Sequence, residues 1–207
     1  MELVSLYGKP LTGKGTQAKF FIAQGFFHLP MGDYMRDQAA QGDLECQEVM
    51  ALIEAGELVP DALVCGIAAR VIEEKERQGF KGVLLDGFPR TLKQAEMLDA
   101  LAQEKGMPLT VIELQVSDNN VLNARRLKRI DEFKAAGKEP RPEDLNEKKF
   151  WRRIEVYDSA TAPVADHYEA KGLIRRIDGL LPPQAVWDRI KVLLNLENGP
   201  DRPRLPT

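Results

Sequence analysis

The sequence predicts a three-layer α/β/α fold around a parallel sheet of five strands, and three observations carry that prediction. Short apolar runs alternate with longer amphipathic segments along the chain, and strands joined through helices pair in parallel, covered on both faces. A glycine-rich turn, Gly8-Lys9-Pro10-Leu11-Thr12-Gly13-Lys14-Gly15-Thr16-Gln17, joins the first apolar run to the first helical segment. The 207 residues, 43% of them hydrophobic, suffice for a buried core in a single domain with insertions.

The first strand is placed at 3–7, where Leu-Val-Ser-Leu-Tyr runs into the glycines, and the first helix at 16–24. A short strand at 26–29 follows. Helical periodicity then marks 34–41, 44–55 and 61–78, the last opening directly after Pro60. The apolar stretch 83–85 reads as a strand, 92–105 as a helix, 110–116 as a strand and 119–133 as a helix. One long helix is expected over 147–171, a strand over 173–177 and a final helix over 183–196. Two stretches break the alternation. Residues 31–60 hold short helices without a strong strand, and 131–140 is polar with Gly137 and Pro140. The tail 198–207 carries three prolines and is expected to fray.

Composition excludes several functions. A net charge of −3 and a pI near 5.6 argue against non-specific nucleic-acid binding. No apolar run reaches membrane-span length and no signal peptide is evident, so a cytoplasmic protein is expected. Cys46 and Cys65 lack C-x-x-C spacing, and His28 and His167 lack metal-ligand spacing.

The strand, glycine turn and helix around residues 3–24 form the arrangement of a phosphate-binding loop. Backbone N–H groups turn inward there, the helix N-terminus adds partial positive charge, and Lys14 reaches the β- and γ-phosphates. Thr16 is placed to meet a magnesium ion. Leu11 stands where a smaller residue would be easier; a positive φ there costs on the order of 1 kcal/mol. A second block, Asp86-Gly87-Phe88-Pro89-Arg90, follows the apolar strand Gly82-Val83-Leu84-Leu85. Its carboxylate suits magnesium bound through water, and its guanidinium suits a phosphate clamp. Further arginines recur at helix ends: Arg36, Arg125 and Arg129 on one helical face, Arg141, and Arg152-Arg153. Taken singly each reads as a surface charge; together they meet the need to hold two polyphosphates close.

Over nearly its whole length the chain resembles adenylate kinases, within the nucleoside monophosphate kinases of the P-loop NTPase fold. The shared blocks are Gly8 to Gln17 with its Gly-Lys-Gly-Thr-Gln ending, His28-Leu29-Pro30-Met31-Gly32-Asp33-Tyr34-Met35-Arg36, and Gly56-Glu57-Leu58-Val59-Pro60-Asp61. To these add Leu85-Asp86-Gly87-Phe88-Pro89-Arg90-Thr91-Leu92-Lys93-Gln94-Ala95, Arg125-x-x-x-Arg129, Arg141-x-x-Asp144, and Arg153 with Tyr157 and Thr161-Ala162-Pro163. The resemblance implies transfer of the γ-phosphoryl of Mg-ATP to AMP, giving two ADP. It implies a core of 1–30, 61–129 and 142–197, a monophosphate-binding insertion at about 31–60, and a short lid at about 130–141.

By the same resemblance Gly13, Lys14, Gly15, Thr16, Gln17, Arg125 and Arg129 would bind ATP. Met31, Gly32, Arg36, Leu58, Val59, Gly87, Arg90, Gln94, Arg141 and Arg153 would surround AMP, with Gln94 reading the adenine edge. Lys14, Arg90, Arg129, Arg141 and Arg153 would act in catalysis, and Thr16 and Asp86 would serve magnesium, Asp86 through water. A monomer binding ATP and AMP is implied, with no nucleic acid or membrane partner. The short lid lacks four cysteines, so no structural zinc is expected. Three departures stand out. Pro30-Met31 replaces Ser-Thr or Ser-Ala, removing a hydroxyl that helps read the base. Pro140-Arg141-Pro142-Glu143-Asp144 replaces Arg-x-Asp-Asp. The interval from Arg141 to Arg153 is one residue longer than typical, which makes Arg152 a candidate for the role of Arg153. Two alternatives stay open: an acceptor such as UMP, CMP or a deoxynucleotide, and a non-catalytic nucleotide-binding homologue.

Overall fold

The structure, a computed structural model, describes residues 1–55 and 59–196. Five strands, β1 (Glu2–Tyr7), β2 (Phe26–Pro30), β3 (Gly82–Asp86), β4 (Leu109–Gln115) and β5 (Ile174–Asp178), form one sheet in the order β2-β3-β1-β4-β5. Every neighbouring pair is parallel. The expected α/β/α layering is therefore observed, the short strand after Gly25 included.

Helices α1 (Lys14–Ala23), α2 (Met31–Ala40), α3 (Leu44–Ala55), α4 (Asp61–Arg77), α5 (Leu92–Glu104) and α6 (Asn119–Ala135) follow the strands in turn. After them come α7 (Pro142–Leu145), α8 (Glu147–Val156), α9 (Ala162–Ala170) and α10 (Pro183–Leu193). The period-2 alternation of β1 divides the core. Leu3 packs with Leu29, Val83 and Leu85 against α4 and α5, whereas Val4 and Leu6 pack with Leu84 and Ile112 against α1 and α10. Aromatic rings from Phe21, Phe26 and Trp187 close the second layer edge to face.

Three differences from the sequence reading bear on the site. Helix α2 begins at Met31 rather than at residue 34. The expected continuous helix over 147–171 is broken into α8 and α9 by a π-helical turn at Tyr157–Thr161. Pro163 explains the break: without an N–H it cannot bond the carbonyl four residues back, so the helix widens and restarts. Of the span 130–141, residues up to Ala135 continue α6, and α7 is a helical turn that the polar composition hid. The tail 198–207 lies outside the described residues. Among the described residues no helix is long and apolar enough to cross a membrane.

Gly82 opens β3 where strand and ring crowd together. A Cβ there would lie 2.3 Å from the Phe26 ring and 2.6 Å from the Glu2 carbonyl oxygen. Gly82→Ala should therefore cost about 1–3 kcal/mol of stability, read as a lower denaturant midpoint. An unchanged midpoint would contradict this packing.

Candidate active site

Parallel pairing places Leu6 of β1 beside Asp86 of β3. The glycine-rich loop and the Asp86–Arg90 turn thus leave the sheet side by side at its carboxyl edge, where such folds bind ligands. Lys14 is the first residue of α1. Its ammonium folds back over the loop and donates to the Gly8 carbonyl at 2.7 Å and the Lys9 carbonyl at 3.0 Å. Burial lowers the Lys14 pKa to about 8; Asp86 opposes that shift, and the nearby charges of Arg153, Arg90 and Arg129 add to it. Those four side chains, drawn from β3, the turn after it, α6 and α8, therefore share one locus with Lys14.

Leu11 takes φ 68°, the left-handed conformation suspected from the sequence. Two contacts offset its cost. Its carbonyl accepts from Arg125 Nη1 at 3.2 Å, and its side chain packs beside Val116, Leu122, Phe150 and Ile154. A partly buried anchor thus holds a strained position that glycine would fill without a Cβ penalty. Arg125 also donates from Nη2 to the Gly179 carbonyl at 2.9 Å, tying the loop to the segment after β5. The Gln17 side chain is buried and donates to the Pro183 carbonyl at 3.0 Å, beneath the loop rather than into it. Gly15 and Thr16 are exposed.

Asp86 stands at the end of β3, 3.3 Å from His28 Nε2. Burial would raise its pKa, but the His28 hydrogen bond and the Lys14 charge outweigh burial and hold it below the usual carboxylate value. Arg90 donates from Nε to the Gly87 carbonyl at 2.7 Å. Arg90 is exposed to solvent. Burial, then Arg153, lowers its pKa, and Arg36 adds to that shift. Gly87 has φ +77°, and a Cβ on it would stand 3.0 Å from Arg90 Nη2. A side chain at 87 would push that guanidinium away. Gly32, in the first turn of α2, approaches the same Nη2 atom at 4.0 Å on the same measure.

Gln94 is pinned at both ends. Its Oε1 accepts from the Arg90 N–H at 2.8 Å, and its Nε2 donates to Asp61 Oδ1 at 2.8 Å. Asp61 also accepts from the Thr91 hydroxyl at 3.0 Å. One N–H and one lone pair of the carboxamide stay available, with fixed orientation. Arg36 pairs with Asp33 one helical turn before it. Met31 is 2% exposed and packs in the core with Leu29 and Met35. Val59 is half-buried against that cluster; Leu58 lies outside the described residues.

Of the paired arginines, Arg152 is engaged with Glu155 at 3.1 Å, whereas the Arg153 charge acts on Lys14 and Arg90. Helix rotation sends neighbouring residues to different faces, so Arg153 is the one that turns toward the loop. Arg129 donates from Nη2 to Asp144 Oδ1 at 2.5 Å, while its Nε is buried with no hydrogen-bond partner among the described residues. Asp144 is itself 2% exposed. Arg126, buried against the Phe150 ring, donates to the Asp144 carbonyl at 2.7 Å and fixes the α6–α7–α8 junction. Arg141 is exposed, and among the described residues no hydrogen bond or ion pair engages its side chain.

A family model described as adenylate kinase matches residues 6–173. Proteins named adenylate kinase share this sequence along almost their full length. That of Methylorubrum populi is 40% identical over 93% of this chain and 95% of its own. The Methylobacterium nodulans protein is 42% identical over 92% and 95%, and the Thermus thermophilus protein 38% over 94% and 98%. This chain belongs to the adenylate kinase family. Adenylate kinases are phosphotransferases, and a basic cleft at the carboxyl edge of a parallel sheet is what phosphoryl transfer needs.

Sequence reasoning missed four supports of this adenylate kinase cleft: His28, Asp61, Arg126 and Asp144 as holders of other side chains. Three of them lie inside the motif blocks, but a motif states presence and not what a side chain touches. Lys9 was passed over as well. It spans Asn119 Oδ1 and Asp158 Oδ1, each at 3.0 Å, and so joins the loop to α6 and to the π-helical turn.

The low pKa of Lys14 has a measurable consequence. Below about pH 8 the ammonium is charged in both folded and unfolded chains, and its burial cost is fully present. Between about 8 and the ordinary 10.5 the unfolded chain holds a proton that the fold has released, so stability rises with pH. Relative to Lys14→Met, the parent should gain stability as pH is raised through that window, measured by denaturant unfolding at pH 7.5 and 10.5. A constant difference between the two proteins would contradict the buried ammonium.

Proposed function

We propose that this chain transfers the γ-phosphoryl group of Mg-ATP to AMP, giving two ADP. The observation that carries the reading is the convergence of Lys14, Arg90, Arg129 and Arg153 on one solvent-reached locus between two loops. In this reading the Gly13–Thr16 amides and Lys14 hold the donor's β- and γ-phosphates, with Arg125 and Arg129 on the donor side. Arg36 and Arg90 hold the acceptor phosphate, and Arg153 lies where it bridges the two. Loose phosphoryl transfer asks for positioning and charge compensation more than covalent help. Lys14 gives up its two loop carbonyls for phosphate oxygens when the donor binds.

Magnesium fits the donor set in one way. Among the described residues no group of three or more His, Cys, Asp or Glu could hold a metal. An exposed Thr16 hydroxyl and the Asp86 carboxylate suit an ion that arrives on the nucleotide and keeps its waters. That ion would spread negative charge off the transferring group. Residues 31–60 are the acceptor-side insertion and 130–141 the lid in this proposal; Arg141, exposed at the lid's end, joins the phosphates on closure, which also excludes water. Every group invoked comes from one copy, so a monomer suffices.

The oriented Gln94 carboxamide supports a purine acceptor, since its remaining N–H and lone pair match an adenine edge. Met31 is packed in the core, so the base is left to Gln94, Val59 and the backbone near Gly87. Purified protein with Mg-ATP is offered AMP, UMP, CMP, GMP and dAMP in turn while ADP formation is followed. AMP should give the highest kcat/KM. A pyrimidine preference would overturn the acceptor assignment, and no turnover with any acceptor would overturn the catalytic reading.

A further inference from the structure

Arg90 depends on a backbone segment that belongs to no strand or helix. After Asp86 the chain leaves β3 and crosses the carboxyl end of β1, so the Phe88 and Pro89 carbonyls have no ladder partner. Both residues are buried, and a buried carbonyl needs a donor. Two side chains of β1 supply them. Ser5 Oγ donates to the Phe88 carbonyl at 2.7 Å, and Tyr7 Oη donates to the Pro89 carbonyl at 2.9 Å. Ser5 and Tyr7 are two residues apart, hence on one face of the strand.

We infer that Ser5 and Tyr7 are positioning residues that set the Arg90 guanidinium against the phosphate loop. The inference rests on the reading of Arg90 as a holder of the acceptor phosphate. Tyr7 immediately precedes Gly8, so one residue faces both halves of the cleft. Its backbone begins the donor loop and its hydroxyl ends on the residue before Arg90. The ring is held in turn by Tyr168, edge to face at 6.5 Å. Burial raises the Tyr7 pKa above the ordinary tyrosine value, so the hydroxyl remains a donor across the pH range of activity.

The two loops do not depend equally on these hydroxyls. β1 is central in the sheet and is paired along its length with both β3 and β4, with Tyr7 opposite Glu113. The start of the phosphate loop is thus fixed without the Tyr7 hydroxyl. Segment 87–90 has Ser5, Tyr7 and the Gln94 carboxamide as its side-chain anchors. Loss of one hydroxyl should therefore displace the acceptor side alone. Simple sheet stabilisation by these residues would affect both substrates together, or neither.

Tyr7→Phe removes the hydroxyl and keeps the ring; Ser5→Ala is the second variant, and Arg90→Ala the control. KM for AMP and for ATP, kcat and Tm are measured for each. The expected result is a rise in the AMP KM of roughly five- to twentyfold in Tyr7→Phe, a similar rise in Ser5→Ala, and an ATP KM within twofold of the parent. An unchanged AMP KM in both variants, or equal rises for AMP and ATP, would overturn the inference while Arg90→Ala still raises the AMP KM. If Arg90→Ala leaves the AMP KM unchanged, the acceptor reading itself fails and the positioning role falls with it.

Discussion

Lys14 shares the space at the carboxyl ends of β1 and β3 with the guanidiniums of Arg90, Arg129 and Arg153, and the Asp86 carboxylate opposes them. Buried cations lose hydration and repel one another, which the depressed pKa of Lys14 records. The fold holds four of these five groups through hydrogen bonds or an ion pair. Lys14 is closed onto its own loop, Arg129 onto Asp144, Arg90 onto Gly87, and Asp86 onto His28. An anion of high charge density would relieve the repulsion, so the arrangement that costs the fold stability is the one proposed to bind polyphosphate.

That constraint makes sense of otherwise unrelated features. The strain at Leu11 is offset by packing against the α6–α8 cluster, so the phosphate loop and the arginine-bearing helices are fixed relative to each other. Lys9 repeats the connection through Asn119 and Asp158. Arg125 extends it to Gly179. On the proposed acceptor side Gln94 serves twice, since the carboxamide proposed to face the base also accepts from the Arg90 backbone. A positioned cleft of this kind supplies catalysis through orientation and fixed charge rather than through a reactive side chain.

The legible part of this molecule was what lies local in sequence. Gly8 to Gln17 and Asp86 to Arg90 carry their chemistry within ten residues, and the strand alternation placed both at one sheet edge. Contacts across long separations were not legible. Ser5 and Tyr7 read as ordinary buried strand positions, because a hydroxyl that serves a carbonyl more than eighty residues away leaves no local pattern. The break at Tyr157–Thr161 was missed because amphipathic periodicity runs straight through it, although Pro163 marked the place. Whether Arg152 or Arg153 faces the loop required the rotation of α8, which spacing alone does not set. The Met31 side chain, expected near the base, is drawn into the core by the early start of α2.

The central claim is that these cations form one polyphosphate-binding cluster whose mutual repulsion the ligand relieves. Thermal unfolding with increasing inorganic tripolyphosphate, in the absence of magnesium, tests it most directly. The account requires a Tm that climbs with tripolyphosphate, a climb that sodium chloride at matched ionic strength does not reproduce, and a clearly smaller climb in Arg153→Ala. A Tm that is indifferent to tripolyphosphate, or that rises equally in the parent and in Arg153→Ala, would contradict it.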